Sequence, residues 1–134
     1  MQKELFIMNN CKGQVLVLFV LILPIILMGL VLVIDLGLLY SEDKHIENSI
    51  KDALQYGIQN SEDKEVIEKI TRLLNENISD IDNIEIKNQE NNLKIEVEKK
   101  YEGLFRGIFP TNIYNIKNAY YAYINDGELV ISKE

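Results

Sequence analysis

The sequence is poor in the residues that do chemistry, holding one cysteine, one histidine, two prolines and no tryptophan among its 134 positions. With Cys11 alone, no disulfide can close within the chain and no thiolate cage for a metal can be built. Cys11 also precedes the long apolar run, whereas a bacterial lipoprotein carries its cysteine after the hydrophobic stretch, so it reads as an ordinary thiol. His45 lies among Glu42, Asp43, Lys44 and Glu47, where a solvated imidazole is expected, and a single imidazole does not make a zinc site. A nucleophile beside a base, or two acids held apart in pKa, has no obvious source here. The expectation is therefore a protein that is not an enzyme, with no catalytic residues, no cofactor and no metal. Asp80, Asp82 and Glu85 lack the D-x-D-x-D-G spacing of a calcium loop and read as a solvated turn.

Clustered positive charge is missing too. The chain carries a formal charge of −7, and residues 41–134 hold all of it, with 12 Lys and Arg against 19 Asp and Glu. Neutralising phosphates needs a basic stripe, so nucleic acid is not an expected partner, and peripheral binding driven by anionic lipid is disfavoured for the same reason.

What the chain has in abundance is apolar length. Val15 to Ile34 reads VLVLFVLILPIILMGLVLVI without a charge, and as a helix it would rise roughly 30 Å, enough to cross a bilayer. A secretory signal has an apolar stretch of only about 7–15 residues and a small-residue cleavage site, which is absent, so the run is expected to remain as an anchor. Lys3 and Lys12 precede it while Glu42 and Asp43 follow, which predicts a cytoplasmic N-terminus. Pro24 removes one helical donor and predicts a kink near Val20. Gly29 permits close approach of a second helix, though it lacks a GxxxG partner. Asp35 follows the run directly. It reads either as an interfacial acid, with Tyr40 as a headgroup-level anchor, or as a pairing site for a cation on a neighbouring helix.

Beyond the run, Ile46, Ile50, Leu54 and Ile58 recur every four residues, so the helix is expected to continue to about Gly57, which with Gln59 and Asn60 supplies a stop. A second helix is predicted over residues 61–77, capped by Asn60 or Ser61, with Glu62 and Asp63 in its first turn and a stripe of Val66, Ile67, Ile70, Leu73 and Leu74. The period then drops to two. Ile84 and Ile86, a polar turn over residues 88–92, then Leu93, Ile95 and Val97 predict a β-hairpin. Residues 103–111, GLFRGIFPT, break the alternation and carry more apolar surface than a connection needs. Residues 112–124 read as a third strand with a cluster of Tyr114, Tyr120, Tyr121 and Tyr123. Tyr120 and Tyr121 must face opposite ways, leaving one available to another subunit. Asn125-Asp126-Gly127 then turns the chain into a short strand at Leu129-Val130-Ile131. The expected fold is α+β, with a long N-terminal transmembrane helix extending into a small outer domain with a second helix and an antiparallel sheet of three or four strands. The expected organisation is a cytoplasmic segment 1–14, a transmembrane helix 15–40 and an extracytoplasmic domain 41–134.

Gly13-Gln14, the apolar run with Pro24 eleven residues after the glycine, and Asp35-Leu-Gly37-Leu-Leu-Tyr40 together resemble the N-terminal signature of TadE/TadG-type proteins, pilin-like assembly components of Tad (Flp-type) pili. Residues 46–53, IENSIKDA, are similar to the family's L-Q-N-A-x-D-A-A-like helix with the Asp displaced by one position. The resemblance covers residues 13 to about 57. It implies a pilin-like build, lateral helix packing in a bacterial cell membrane with contacts at Asp35 and Gly29, and partnership with other pilin-like or pilus and secretion assembly proteins, including further copies of itself. Members processed by a prepilin peptidase after the glycine carry Glu five residues beyond it. This chain has Leu18 there, so Gly13-Gln14 is a processing site only by analogy and an unprocessed, TadG-like anchor is the closer match. The second reading, from residues alone, is a signal-anchored binding or sensory module of the envelope that uses GLFRGIF and the tyrosines as its ligand surface.

Overall fold

The computed structural model describes the backbone of residues 2–107 and 113–134 and the side chains of residues 12–107 and 114–134. Asn112 and residues 108–111, parts of the expected third strand and of the GLFRGIFPT segment, lie outside the described residues. The fold is α+β, with elements in the order α1 (Gln2–Gln59), α2 (Val66–Asn77), β1 (Asn83–Gln89), β2 (Asn92–Glu102), β3 (Ile113–Asn125) and β4 (Glu128–Lys133). Contacts divide the chain into two units, Met1–Gly37 and Leu38–Glu134.

The first unit is helical. Helix α1 runs through Pro24 without interruption. A proline costs a helix one hydrogen bond, which a long apolar helix tolerates through local adjustment. From Val15 to Ile34 every side chain is exposed except that of Val31, which is half-buried. This helix is long and apolar enough to cross a membrane.

The second unit has a core of its own. Its sheet is a four-stranded antiparallel meander in the order β1-β2-β3-β4. One face is apolar: Ile84 and Ile86 of β1 lie opposite Val97 and Ile95 of β2, and Leu93 and Ile95 lie opposite Ala122 and Tyr120 of β3. Ile46, Ile50, Ala53 and Leu54 of α1, with Val66, Ile70 and Leu74 of α2, are buried in the same cluster. The spacing of these residues follows the 3.6-residue period on the helices and the two-residue period on the strands, so each element buries one face. The β3–β4 turn is Asp126-Gly127, with φ of 51° and 85° between the paired Asn125 and Glu128. Asp-Gly is favoured in a two-residue hairpin turn because both positions need positive φ.

Three local expectations are corrected. Helix α2 starts at Val66, not at residue 61, because Asn60 is spent on the previous helix. Its side-chain amide and its backbone N–H both donate to the Tyr56 carbonyl, at 2.9 and 3.1 Å. Asp63 then makes the entry: its carboxylate accepts from the Glu65 N–H at 2.9 Å and from Lys69 Nζ at 2.6 Å. Gly57 does not stop α1, which continues to Gln59. It is buried, and a Cβ there would overlap Leu93 and come within 2.7 Å of Ile70 Cδ1, so glycine lets α2 and β2 close on α1. Ile67, expected in the buried stripe of α2, is 43% exposed; the helix buries a narrower face.

Candidate functional site

On the face that α1 presents to the sheet, apolar residues give way at one end to carboxylates. Glu42 and Asp43, one turn before Ile46, reach polar residues on the apolar face of the sheet. Lys99 Nζ donates to Glu42 Oε1 at 2.5 Å, and the Asn118 amide donates to Asp43 Oδ1 at 2.8 Å. Lys99 and Asn118 are both buried, with 8% and 1% of their surface exposed. One turn further along, Glu47 takes hydrogen bonds from Lys44 and Lys51, each at 2.7 Å. Lys51 and Lys133 lie 5.4 and 5.8 Å from the centre of the Tyr120 ring. Burial pushes the Tyr120 hydroxyl above its ordinary range, and the charge of Glu47 adds to the effect. Among the described residues, every buried side-chain nitrogen and oxygen has a partner.

This seam was only half legible. Glu42 and Asp43 read as charges flanking the apolar run, yet they are the helix side of a buried polar cluster. Lys99 follows Leu93, Ile95 and Val97 at the same two-residue spacing, so a lysine in register with a buried row was the available signal. Asn118, opposite Val97, had a similar one.

The sequence-predicted positions fall as follows. Asp35 is 1% exposed and engaged in a polar interaction, so its carboxylate is covered within a single chain. Tyr40 is 65% exposed, with Lys44 Nζ 5.8 Å from its ring centre. Gly13, Gln14, Pro24, Gly29 and Gly37 all lie on α1, and a Cβ added at Gly13, Gly29 or Gly37 would meet nothing. His45 is exposed, and its Nε2 lies 2.8 Å from the Asn77 carbonyl. That nitrogen donates to an acceptor left open at the end of α2, so the ring acts as a cap as well as a solvated group.

The other face of the sheet is a ladder of paired charges. Lys117 bridges Glu96 and Glu98 at 2.7 and 3.0 Å, and Lys94 meets Glu96 and Glu134. Hydrogen bonding from Lys117 holds the Glu96 carboxyl below the usual range, and donating to Glu96, then to Glu98, holds Lys117 above its own. Tyr121 and Tyr123 stack on this face with ring centres 6.0 Å apart, while Tyr120 is buried on the opposite one, the division that alternation requires. A cleft of about 350 Å³ opens beside β2 where β1 has not yet begun, lined by Asp82, Lys99, Lys100 and Lys117 among others. Asp82 accepts a hydrogen bond from the Lys100 N–H at 2.6 Å. Among the described residues, no three His, Cys, Asp or Glu side chains group to hold a metal ion.

The arrangement is one of mutual satisfaction, carboxylates matched to lysines and to the Asn118 amide. What it does is fasten a helix to a sheet. No family model matches the sequence, and neither a curated protein nor a solved structure matches the chain.

Proposed function

We propose that this chain is a single-pass protein of a bacterial cell membrane, with a cytoplasmic N-terminus, residues 15–40 in the bilayer and residues 41–134 outside. We further propose that it serves as a pilin-like, TadE/TadG-type component in assembling a Tad/Flp-type pilus or a related secretion apparatus. The observation that carries the membrane reading is the exposure of the apolar run, whose large side chains from Val15 to Ile34, Val31 apart, are 40–68% exposed. Burying each is worth about 1.5–3 kcal/mol, so water around the whole run costs on the order of tens of kcal/mol. Lipid or neighbouring helices remove that cost. The assembly reading is supported by Gly13-Gln14, Pro24, Asp35, Gly37 and Tyr40 at the signature spacing. An α+β outer unit fed by a long N-terminal helix agrees with it.

The test is co-purification from gently solubilised membranes of the native host. Other pilin-like or assembly proteins should travel with the chain, and recovery of free monomer alone would refute the assembly reading. Intact mass on the same sample separates two roles. A chain beginning at Gln14 is a processed subunit, whereas one retaining residues 1–13 is a permanently anchored assembly factor.

A further inference from the structure

The turn that follows β2 has side chains that suit lipid better than water. The Arg106 N–H donates to the Gly103 carbonyl at 3.3 Å, closing a four-residue turn whose two corner positions are Leu104 and Phe105. Corners are the usual places of Pro, Asp, Asn, Ser and Gly. Leu104 is 70% exposed, the most of any large apolar residue among the described residues of the second unit, and Phe105 is half-buried. Arg106, also exposed, pairs with Glu102.

The packing of the second unit fixes which end this turn occupies. Gly57 of α1 abuts Leu93, and Glu42 of α1 bonds Lys99. Fifteen helical residues span about 22 Å and six strand residues about 20 Å, so α1 and β2 run side by side in opposite directions. Two strand residues past Lys99, Tyr101 comes level with about Leu38. Leu39 and Tyr101 both pack against the core, and this antiparallel alignment puts them at one end of it. The turn at residues 103–107 lies beyond them, at the end of the domain where the chain passes into its apolar run. Tyr40, an aromatic ring with a cation near it, is at that end too.

We propose that Leu104 and Phe105 insert into the headgroup and outer acyl region of the bilayer, with Arg106 and Tyr40 at phosphate level, so that the outer domain is seated on the membrane as well as tethered to it. The proposal rests on the membrane reading above. Its occupant is a lipid surface, held by apolar insertion and not by net charge, in keeping with the acidity of the domain.

The absence of tryptophan makes a clean test. The full chain is reconstituted in phosphatidylcholine vesicles carrying bromine either high or low on the acyl chains, with one reporter at a time: Leu104→Trp, Phe105→Trp, Leu27→Trp in the apolar run, and Ile124→Trp beside the distal β3–β4 turn. Leu104→Trp and Phe105→Trp should emit to the blue of Ile124→Trp and lose intensity to the high bromines, while Leu27→Trp loses it to the low ones. If both turn reporters match Ile124→Trp and escape quenching while Leu27→Trp is quenched, the seating proposal is overturned and the membrane reading stands. If Leu27→Trp also escapes, the membrane reading fails and the seating proposal falls with it.

Discussion

Cutting the Glu42–Lys99 pair from its two sides should have unequal costs. Lys99 is 8% exposed as a residue, whereas the Glu42 side chain keeps 27% of its surface in solvent. Glu42→Ala strands an ammonium inside the core edge. Breaking a fully buried pair costs about 3–5 kcal/mol, and because Lys99 retains a thin path to water, the expected loss is about 2–3 kcal/mol. Lys99→Met keeps most of the volume and leaves a carboxylate that already reaches solvent, so its loss is about 1 kcal/mol or less. The double variant removes both charges and should cost less than the two single losses added, with a coupling of about 1–2 kcal/mol. For a domain of this size 1 kcal/mol moves Tm by about 4–8 °C. Glu42→Ala should therefore melt about 10–20 °C lower than the parent, followed by near-ultraviolet circular dichroism of the tyrosines in detergent. If Lys99→Met is the more damaging single change, or the two effects add, the charge is not what the seam contributes.

Two further outcomes follow from the packing and the charge ladder. Gly57→Ala gains about 1 kcal/mol of helix propensity but crowds Ile70 and Leu93, which are 0% and 3% exposed. Overpacking costs about 1–3 kcal/mol, so a net loss of about 1 kcal/mol is expected in chemical denaturation, and a raised midpoint would show that those side chains have room to move. Glu96 and Asp63 are held below the ordinary carboxylate range, by Lys117 and Lys69 first of all. A depressed folded-state value means that their contribution is complete above the unfolded value of about 4 and is lost as pH falls through the folded one. Denaturation midpoints should drop across that interval, and Lys117→Met should flatten the drop; an unchanged slope would mean that solvent screens the ladder completely.

Periodicity carried most of the architecture. The four-residue spacing from Ile46 to Ile58 and the alternation from Ile84 to Val97 each follow from burying one face of one element, so helix and hairpin were legible from the sequence, while the strand order was not. What periodicity does not encode is competition between neighbours for the same group. Asn60 suits the start of α2 as well as the end of α1, and only the position of the Tyr56 carbonyl decides it. Gly57 suits a stop as well as a close approach, and only the arrival of Ile70 and Leu93 decides that. The buried polar seam was hidden for a related reason. A lysine in an apolar row and a carboxylate pair after an apolar run each have an ordinary surface explanation, and they become one feature only when the sheet folds against the helix.

The position of that seam ties the fold to the proposed membrane setting. On α1 the apolar stripe that feeds the core, ending at Ile46, and the apolar run, ending near Leu39, would merge into one continuous apolar face if residues 42 and 43 were aliphatic. A helix of that kind has little to fix its depth, since sliding by one turn, about 5.4 Å, exchanges one apolar neighbour for another. Glu42 and Asp43 remove that freedom in both directions. Moving inward drags two carboxylates toward hydrocarbon, at up to about 2.5–3.5 kcal/mol each by insertion scales, and also pulls them from Lys99 and Asn118. Moving outward exposes apolar turns to water and breaks the same two bonds. In the proposed membrane setting, one short polar stretch would set both the depth of the helix and the register of the sheet upon it. A buried lysine, costly as a source of stability, is retained where register is what the structure needs.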